Sequence, residues 1–176
     1  YDKRLLPTYD VFDEDRYFVA GSRPVIIDVA GTRVGLSICE DLWRGHDVGF
    51  AERYLTCPDP VDELCNPPDG SPGAHVIVNP SASPFLLGKG KRHRDLLRSH
   101  ARGRGVFVAA VNQVGGNDEL IFDGRACQFD RDGNLDVAFV ETHVGVSVML
   151  GNGDGTLRPA RTYMVSARTI WVTAGD

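Results

Sequence analysis

Cys39 is the residue around which a chemical reading can be built. It follows Val34-Gly35-Leu36-Ser37-Ile38, a run of buried-strand character, and precedes Glu40-Asp41-Leu42-Trp43. A thiol at a strand end, on a sharp turn, can project into a cleft at the edge of a sheet. Free cysteine is only a few per cent thiolate at neutral pH, so a nucleophilic role needs activation. The adjacent carboxylates of Glu40 and Asp41 would raise a thiol pKa rather than lower it, so a cation must lie nearby. Lys3 and Arg4 are candidates, as is a base outside this sequence. The plainer alternative is a small buried hydrophobe, the usual fate of a free cysteine.

Other chemistries find less support. The five histidines, His46, His75, His93, His100 and His143, fall in loops or on a polar helix face. They are expected to be solvated, which disfavours a Cys–His dyad. They lack metal-ligand spacings, and the four cysteines (Cys39, Cys57, Cys65, Cys127) contain no C-x-x-C pair, so no metal site is expected. The cysteines are also too few and too irregular for a disulfide scaffold.

The elements that must position Cys39 follow from pattern. Residues 1–23 read as a loop rich in turn formers, with Tyr9, Phe12, Tyr17 and Phe18 available to pack it down. Strands are predicted over Pro24–Ala30 and Thr32–Ile38, separated by a tight reversal or bulge at Gly31. Residues 44–72 read as a surface excursion, because Pro58, Pro60, Pro67, Pro68 and Pro72 break any long element; Phe50–Leu55 suits a helical turn or two. A strand over His75–Asn79 precedes a helix over Lys91–Gly103, with Leu96, Leu97 and Ala101 as its apolar positions. Val106–Asn112 is a further strand, Gly115–Asp118 a loop, and Gly124–Asp130 and Leu135–Val140 a strand pair joined at Arg131-Asp132-Gly133-Asn134. This order is that of a mixed α/β protein.

Composition sets bounds. The chain has 176 residues, 42% hydrophobic, enough for one core of ordinary size. A net charge of −5 gives no footprint for nucleic acid or an anionic membrane. No apolar run approaches the roughly 20 residues a membrane span needs, and no signal peptide is read, so a cytoplasmic location is the expectation.

Five ordered motifs carry a resemblance. They are the run from Tyr1-Asp2-Lys3-Arg4 to Tyr17-Phe18, then Val34 to Trp43 through Cys39-Glu40-Asp41, Asn79-Pro80-Ser81-Ala82-Ser83-Pro84-Phe85, Val111 to Leu120, and Phe122-Asp123-Gly124. Together they resemble the nitrilase, or carbon–nitrogen hydrolase, superfamily, and most closely the glutaminase domain of glutamine-dependent NAD+ synthetases. The resemblance covers residues 1–140 and leaves 141–176 as a divergent tail.

The resemblance implies a nitrilase-like four-layer α-β-β-α sandwich and a Glu–Lys–Cys site that hydrolyses glutamine through a thioester and releases ammonia. By motif position Cys39 is the nucleophile and Lys3 the lysine that steadies the oxyanion, together with the Glu40 backbone N–H. Glu14 matches an acidic position that orients the lysine. Substrate recognition falls to Glu40 for the α-ammonium and to Ser83 and Lys89 near the α-carboxylate, with Tyr9 and Trp43 as pocket walls. Lysine at position 89, where arginine is expected in many relatives, keeps the charge but loses bidentate geometry. The amidase reaction implies no cofactor; ATP and Mg2+ belong to a synthetase domain, a partner in the parent protein that no part of this sequence resembles. A homo-oligomer is expected.

The base glutamate of such enzymes lies upstream of the lysine segment. The chain is therefore expected to be the C-terminal part of an amidase domain, weakly active and prone to associate by itself. Two alternatives stand beside this reading: a free-standing amidase acting on another carboxamide, and a non-catalytic fragment that only binds or assembles.

Overall fold

The computed structural model describes residues 1–141, 145–154 and 156–164. After a 3-10 turn at Glu14–Arg16, strands β1 (Ile26–Val29) and β2 (Thr32–Leu36) form a hairpin. Its two turn residues, Ala30 and Gly31, both have positive φ (51° and 81°), the geometry that matches the twist of paired strands. A one-turn helix α1 (Glu40–Trp43), a 3-10 turn (Ala51–Tyr54) and helix α2 (Pro60–Cys65) lead to β3 (Val76–Ser81), then α3 (Lys89–Arg104) and β4 (Phe107–Asn112). Five more strands, β5 (Val114–Asn117), β6 (Leu120–Asp123), β7 (Cys127–Phe129), β8 (Leu135–Glu141) and β9 (Gly145–Met149), are followed by β10 (Arg161–Met164).

Eight strands make one sheet in the order β1-β2-β3-β4-β7-β8-β9-β10, and β5 and β6 form a separate hairpin. The pairs β2/β3 and β3/β4 are parallel and the remaining pairs antiparallel. Parallel neighbours need crossovers, and here these are the stretch holding α1 and α2, and then α3. All three helices cover one face of the sheet.

Register explains why that face is dry. Gly35, Ile77, Val108 and Phe129 pair in one row across four strands. All are buried, beneath Leu42, Val61, Leu64, Leu97 and Ala101. Fully burying a side chain such as Ile77 or Leu64 stabilises by about 1.5–3 kcal/mol. Gly35 permits the close approach of α2: a Cβ there would stand 3.1 Å from Leu64 Cδ2 and 3.0 Å from Ala74 Cβ. The opposite face carries Val34, Leu36, Val76, Val78, Phe107 and Ala109, all half-buried.

The structure departs from several of the expectations drawn from the sequence. The stretch 44–72 is not a surface excursion, because Val61 and Leu64 have no exposure and Tyr54 only 3%. Pro60 starts α2 rather than breaking it: it sits at the first helical position, where its missing N–H costs nothing, and Asp59 caps Val61 and Asp62 at 2.9 and 3.2 Å. The Gly115–Asp118 loop is instead hairpin β5–β6, turning at Asp118 with φ 50°. The helix predicted over Lys91–Gly103 runs two residues earlier and one later, closing on Gly105 at φ 62°. Position 140 lies within β8, and β9 and β10 continue the sheet beyond it.

Candidate active site

The turn between β2 and α1 holds Cys39 at φ 46°, ψ −105°, a region that costs a non-glycine residue of order 1–3 kcal/mol. The surroundings hold it there. Cys39 N–H donates to the Pro80 carbonyl at 3.0 Å and Ser37 N–H to the Val78 carbonyl at 3.1 Å, so the turn is fastened to the end of β3. Asn79 Nδ2 donates to Ser37 Oγ at 3.0 Å and to the Cys39 carbonyl at 3.4 Å. Ser81 Oγ donates to Asn79 Oδ1 at 2.7 Å.

Burial pushes the Cys39 thiol above its ordinary value, and the Glu40 charge pushes the same way. The Lys3 charge and hydrogen bonds from the Ala82 backbone and Ser81 side chain pull it down without cancelling the rise. The resting thiol is thus protonated at neutral pH, and attack on a substrate requires a base to take that proton.

Lys3 reaches this turn through Asp41, a fully buried carboxylate with four donors. Oδ1 accepts from the Arg4 and Leu5 N–H groups at 3.0 and 2.9 Å, and Oδ2 from Tyr1 Oη at 2.7 Å and Ile38 N–H at 2.9 Å. Lys3 Nζ then meets both oxygens of Glu14, at 2.8 and 2.7 Å. Arg4, the other candidate cation, turns instead to Glu63 on α2.

Glu40 opens α1, so its N–H is among those that a helix start leaves without an intrahelical partner. Its side chain is 3% exposed; Oε2 accepts from Tyr9 Oη at 2.6 Å, and Oε1 has no partner among the described residues. Burial raises its pKa to about 7, aided by Asp47 and opposed by the Tyr9 hydrogen bond. Tyr9 stacks on Phe50 with centroids 4.6 Å apart, and the two line a cleft of about 360 Å³ with Phe12, Val48, Leu86 and Lys89.

Lys89 and Ser83 are both buried and line a smaller adjoining hollow. The Ser83 backbone exchanges two hydrogen bonds with the Asn112 amide, at 2.8 and 3.0 Å. Lys89 Nζ lies 3.4 Å from Asp47 Oδ2, which also bonds His93 Nε2 at 2.7 Å. Burial alone would raise the Asp47 carboxyl; the His93 hydrogen bond and the Lys89 charge outweigh it and hold it below its ordinary value. Trp43 does not line the cleft. It is 3% exposed and stacks on His93 at 4.0 Å and 5°.

The histidines are not all solvated, as the sequence suggested. His46 is exposed, but His100 is buried, bonding the Leu42 carbonyl through Nε2 at 2.9 Å and Arg104 through Nδ1 at 3.2 Å. Burial lowers its pKa, so it is neutral. His75 Nδ1 accepts from Arg33 N–H at 3.2 Å. His143 lies outside the described residues. Among the described residues no cluster of three or more His, Cys, Asp or Glu side chains could hold a metal.

Sequence reasoning missed Asp41 as the tie between the lysine and cysteine segments, and Asp47 with His93 as the anchor of Lys89. Asn79 and Ser81 were read only as part of a motif.

The fold is shared with XC1258 from Xanthomonas campestris, a CN-hydrolase superfamily protein, at TM-score 0.60 and 24% identity over 86% of this chain and 51% of that one. The structure therefore has the fold of the carbon–nitrogen hydrolases. In sequence, the chain is a homologue of one part of glutamine-dependent NAD(+) synthetases. It is 40% identical to the enzyme of Aquifex aeolicus over 154 residues, 86% of this chain and 24% of that protein. The Synechocystis enzyme matches at 35% over 97% of this chain and 30% of its own length. The structure of the Acinetobacter baumannii synthetase aligns at TM-score 0.63 and 24% identity, covering 97% of this chain and 28% of that one. The chain thus spans about a quarter of the length of the relatives it matches. No family model matches it. No helix among the described residues is long and apolar enough to cross a membrane.

Proposed function

We propose that this chain is the C-terminal part of an amidase domain that releases ammonia from glutamine for NAD+ synthesis. The observation that carries this reading is the meeting of Cys39, on its strained turn, with a Lys3 ammonium held by Glu14, in a chain homologous to glutamine-dependent NAD(+) synthetases. In this reading the Cys39 sulfur attacks the amide carbonyl while a glutamate outside the chain takes the thiol proton. The Lys3 ammonium and the Glu40 N–H hold the oxyanion. Collapse expels ammonia, which carries the proton away, and leaves a thioester; water, activated by the same glutamate, then frees the acid and restores the thiol.

Glu40 and Tyr9 suit the α-ammonium of glutamine, and Lys89 with Ser83 its α-carboxylate. ATP and Mg2+ would serve the synthetase part of the full-length protein, and no residue of this chain is assigned to them. The half-buried apolar face of the sheet suits cover by the remainder of the domain. The Cys39 geometry alone equally suits an amidase for another carboxamide; the 40% identity to a synthetase favours glutamine.

The test is exposure of the full-length protein to an electrophilic glutamine analogue, followed by peptide mapping, alongside an assay of ammonia release. Selective labelling of Cys39, blocked by glutamine, is expected. Labelling that an unrelated amide blocks and glutamine does not would move the reading to another substrate. Equal labelling of Cys57, Cys65 and Cys127 would overturn the assignment of a reactive site.

A further inference from the structure

Lys89 is the one cation among the residues lining the Tyr9–Phe50 cleft. It is 8% exposed, and a cation so buried is costly unless an opposite charge lies beside it. Asp47 supplies it from 3.4 Å, a single contact that leaves other N–H groups of the three-donor ammonium available to an anion in the cleft.

Asp47 is itself held firmly. The same Oδ2 takes the short bond from His93 Nε2, 2.7 Å, and the Asp47 carbonyl accepts from Arg92 Nη1 at 3.2 Å. The His93 ring lies flat on the buried Trp43 indole, so the partner of Asp47 cannot swing away. The next residue, Val48, lines the cleft beside Lys89. A chain of contacts therefore runs from the core, through Trp43, His93 and Asp47, to a single ammonium at the cleft wall.

We infer that Asp47, braced by His93 on Trp43, is a positioning residue that keeps the Lys89 ammonium facing the cleft, and so sets selectivity for amides that carry an α-carboxylate. The inference rests on the amidase reading above. Asp47 touches no reacting atom. Its loss would leave Lys89 as an uncompensated buried cation, which would turn to solvent, and the substrate carboxylate would lose its partner. Binding of glutamine would weaken while attack by Cys39 would not.

The experiment uses the full-length protein, with ammonia release from glutamine giving kcat and KM, and the rate of Cys39 alkylation by iodoacetamide, a neutral reagent, as the second readout. Asp47→Asn is expected to raise KM by about tenfold or more, with kcat and the alkylation rate within about threefold of wild type. His93→Phe, which keeps the stack on Trp43 but loses the bond to Asp47, should raise KM in the same direction by less. Asp47→Glu should recover part of the loss. An unchanged KM in Asp47→Asn, or a fall in kcat and alkylation equal to the change in KM, overturns the inference, the second because it marks general damage. A wild-type protein that releases no ammonia from glutamine would instead sink the amidase reading, and this inference with it.

Discussion

The Asp41 carboxylate accepts the Leu5 N–H at 2.9 Å from a side chain with no solvent exposure. One buried acid thereby joins the segment that carries Lys3 to the turn that carries Cys39, two stretches 36 residues apart in sequence. All four of its donors come from these two segments, three of them backbone N–H groups.

Replacing Asp41 should therefore be among the most damaging single changes outside the core. Asp41→Ala leaves the Arg4, Leu5 and Ile38 N–H groups buried without an acceptor, at about 1–3 kcal/mol each. A loss of at least about 3 kcal/mol in denaturant unfolding is expected. Asp41→Asn retains one acceptor oxygen but turns an NH2 toward donors, so it should also destabilise, by less. A loss below about 1 kcal/mol for the alanine variant would show that the carboxylate is not the tie.

Glu14 should behave differently. Its pair with Lys3 is partly exposed, 13% and 25% for the two side chains, and such pairs contribute little to stability. Glu14→Gln is expected to change unfolding free energy by less than about 1 kcal/mol. Yet it frees the Lys3 ammonium to wander from the oxyanion position proposed for it, and misplacement of a charge by about 1 Å can cost on the order of a hundredfold in rate. Ammonia release by the full-length protein should fall chiefly in kcat. An intact kcat would mean that Lys3 needs no such orientation.

How far the sequence went is clear from these residues. Cys39 and Lys3 could be singled out as candidates because each sits in a run whose pattern is local: a β-rich strand ending in Cys-Glu-Asp, and a loop segment that resembles a known motif. Strands β2, β3 and β4 were legible for the same reason. The hairpin β5–β6 was not, since Gly115-Gly116-Asn117-Asp118 has loop composition and is paired by its partner strand. Helix α2 was hidden by the prolines around it, although Asp59 followed by Pro60 is a helix-start signal. Asp41, Asp47, His93 and Trp43 depend on contacts between residues as many as 46 positions apart, and the burial of a charged side chain is not written in its neighbours.

Glu40 gives the protein a pH dependence with a definite sign. Burial, with Asp47 beside it, raises the Glu40 pKa from 4.5 to about 7 despite the Tyr9 hydrogen bond. Between those values the folded state holds a proton that the unfolded chain has released. Stability contributed by this group is thus full below about 4.5, falls as pH rises, and is lost above about 7, a difference of about 3 kcal/mol. Glu40→Gln should remove that part of the slope and be the more stable protein at pH 8. Parallel stability curves for the two proteins between pH 4.5 and 8 would mean that Glu40 is ionised throughout.

The strain at Cys39 can be read from two substitutions that both remove the thiol. Cys39→Ala keeps a Cβ at φ 46°, ψ −105°, whereas Cys39→Gly relieves it. Glycine has more conformational freedom to lose on folding, roughly 0.5–1 kcal/mol in a regular element, and this works against the relief. The strain, on the order of 1–3 kcal/mol for a non-glycine residue, is the larger quantity, so the glycine protein should be the more stable by about 1 kcal/mol. Both variants should fail to take up an electrophilic glutamine analogue at this position; among the remaining thiols, burial raises the Cys65 and Cys127 pKa values to about 11. If alanine proves the more stable, the turn is not strained, and the placement of Cys39 at the strand end must be ascribed to the hydrogen bonds from Asn79 and to Pro80 rather than to stored backbone energy.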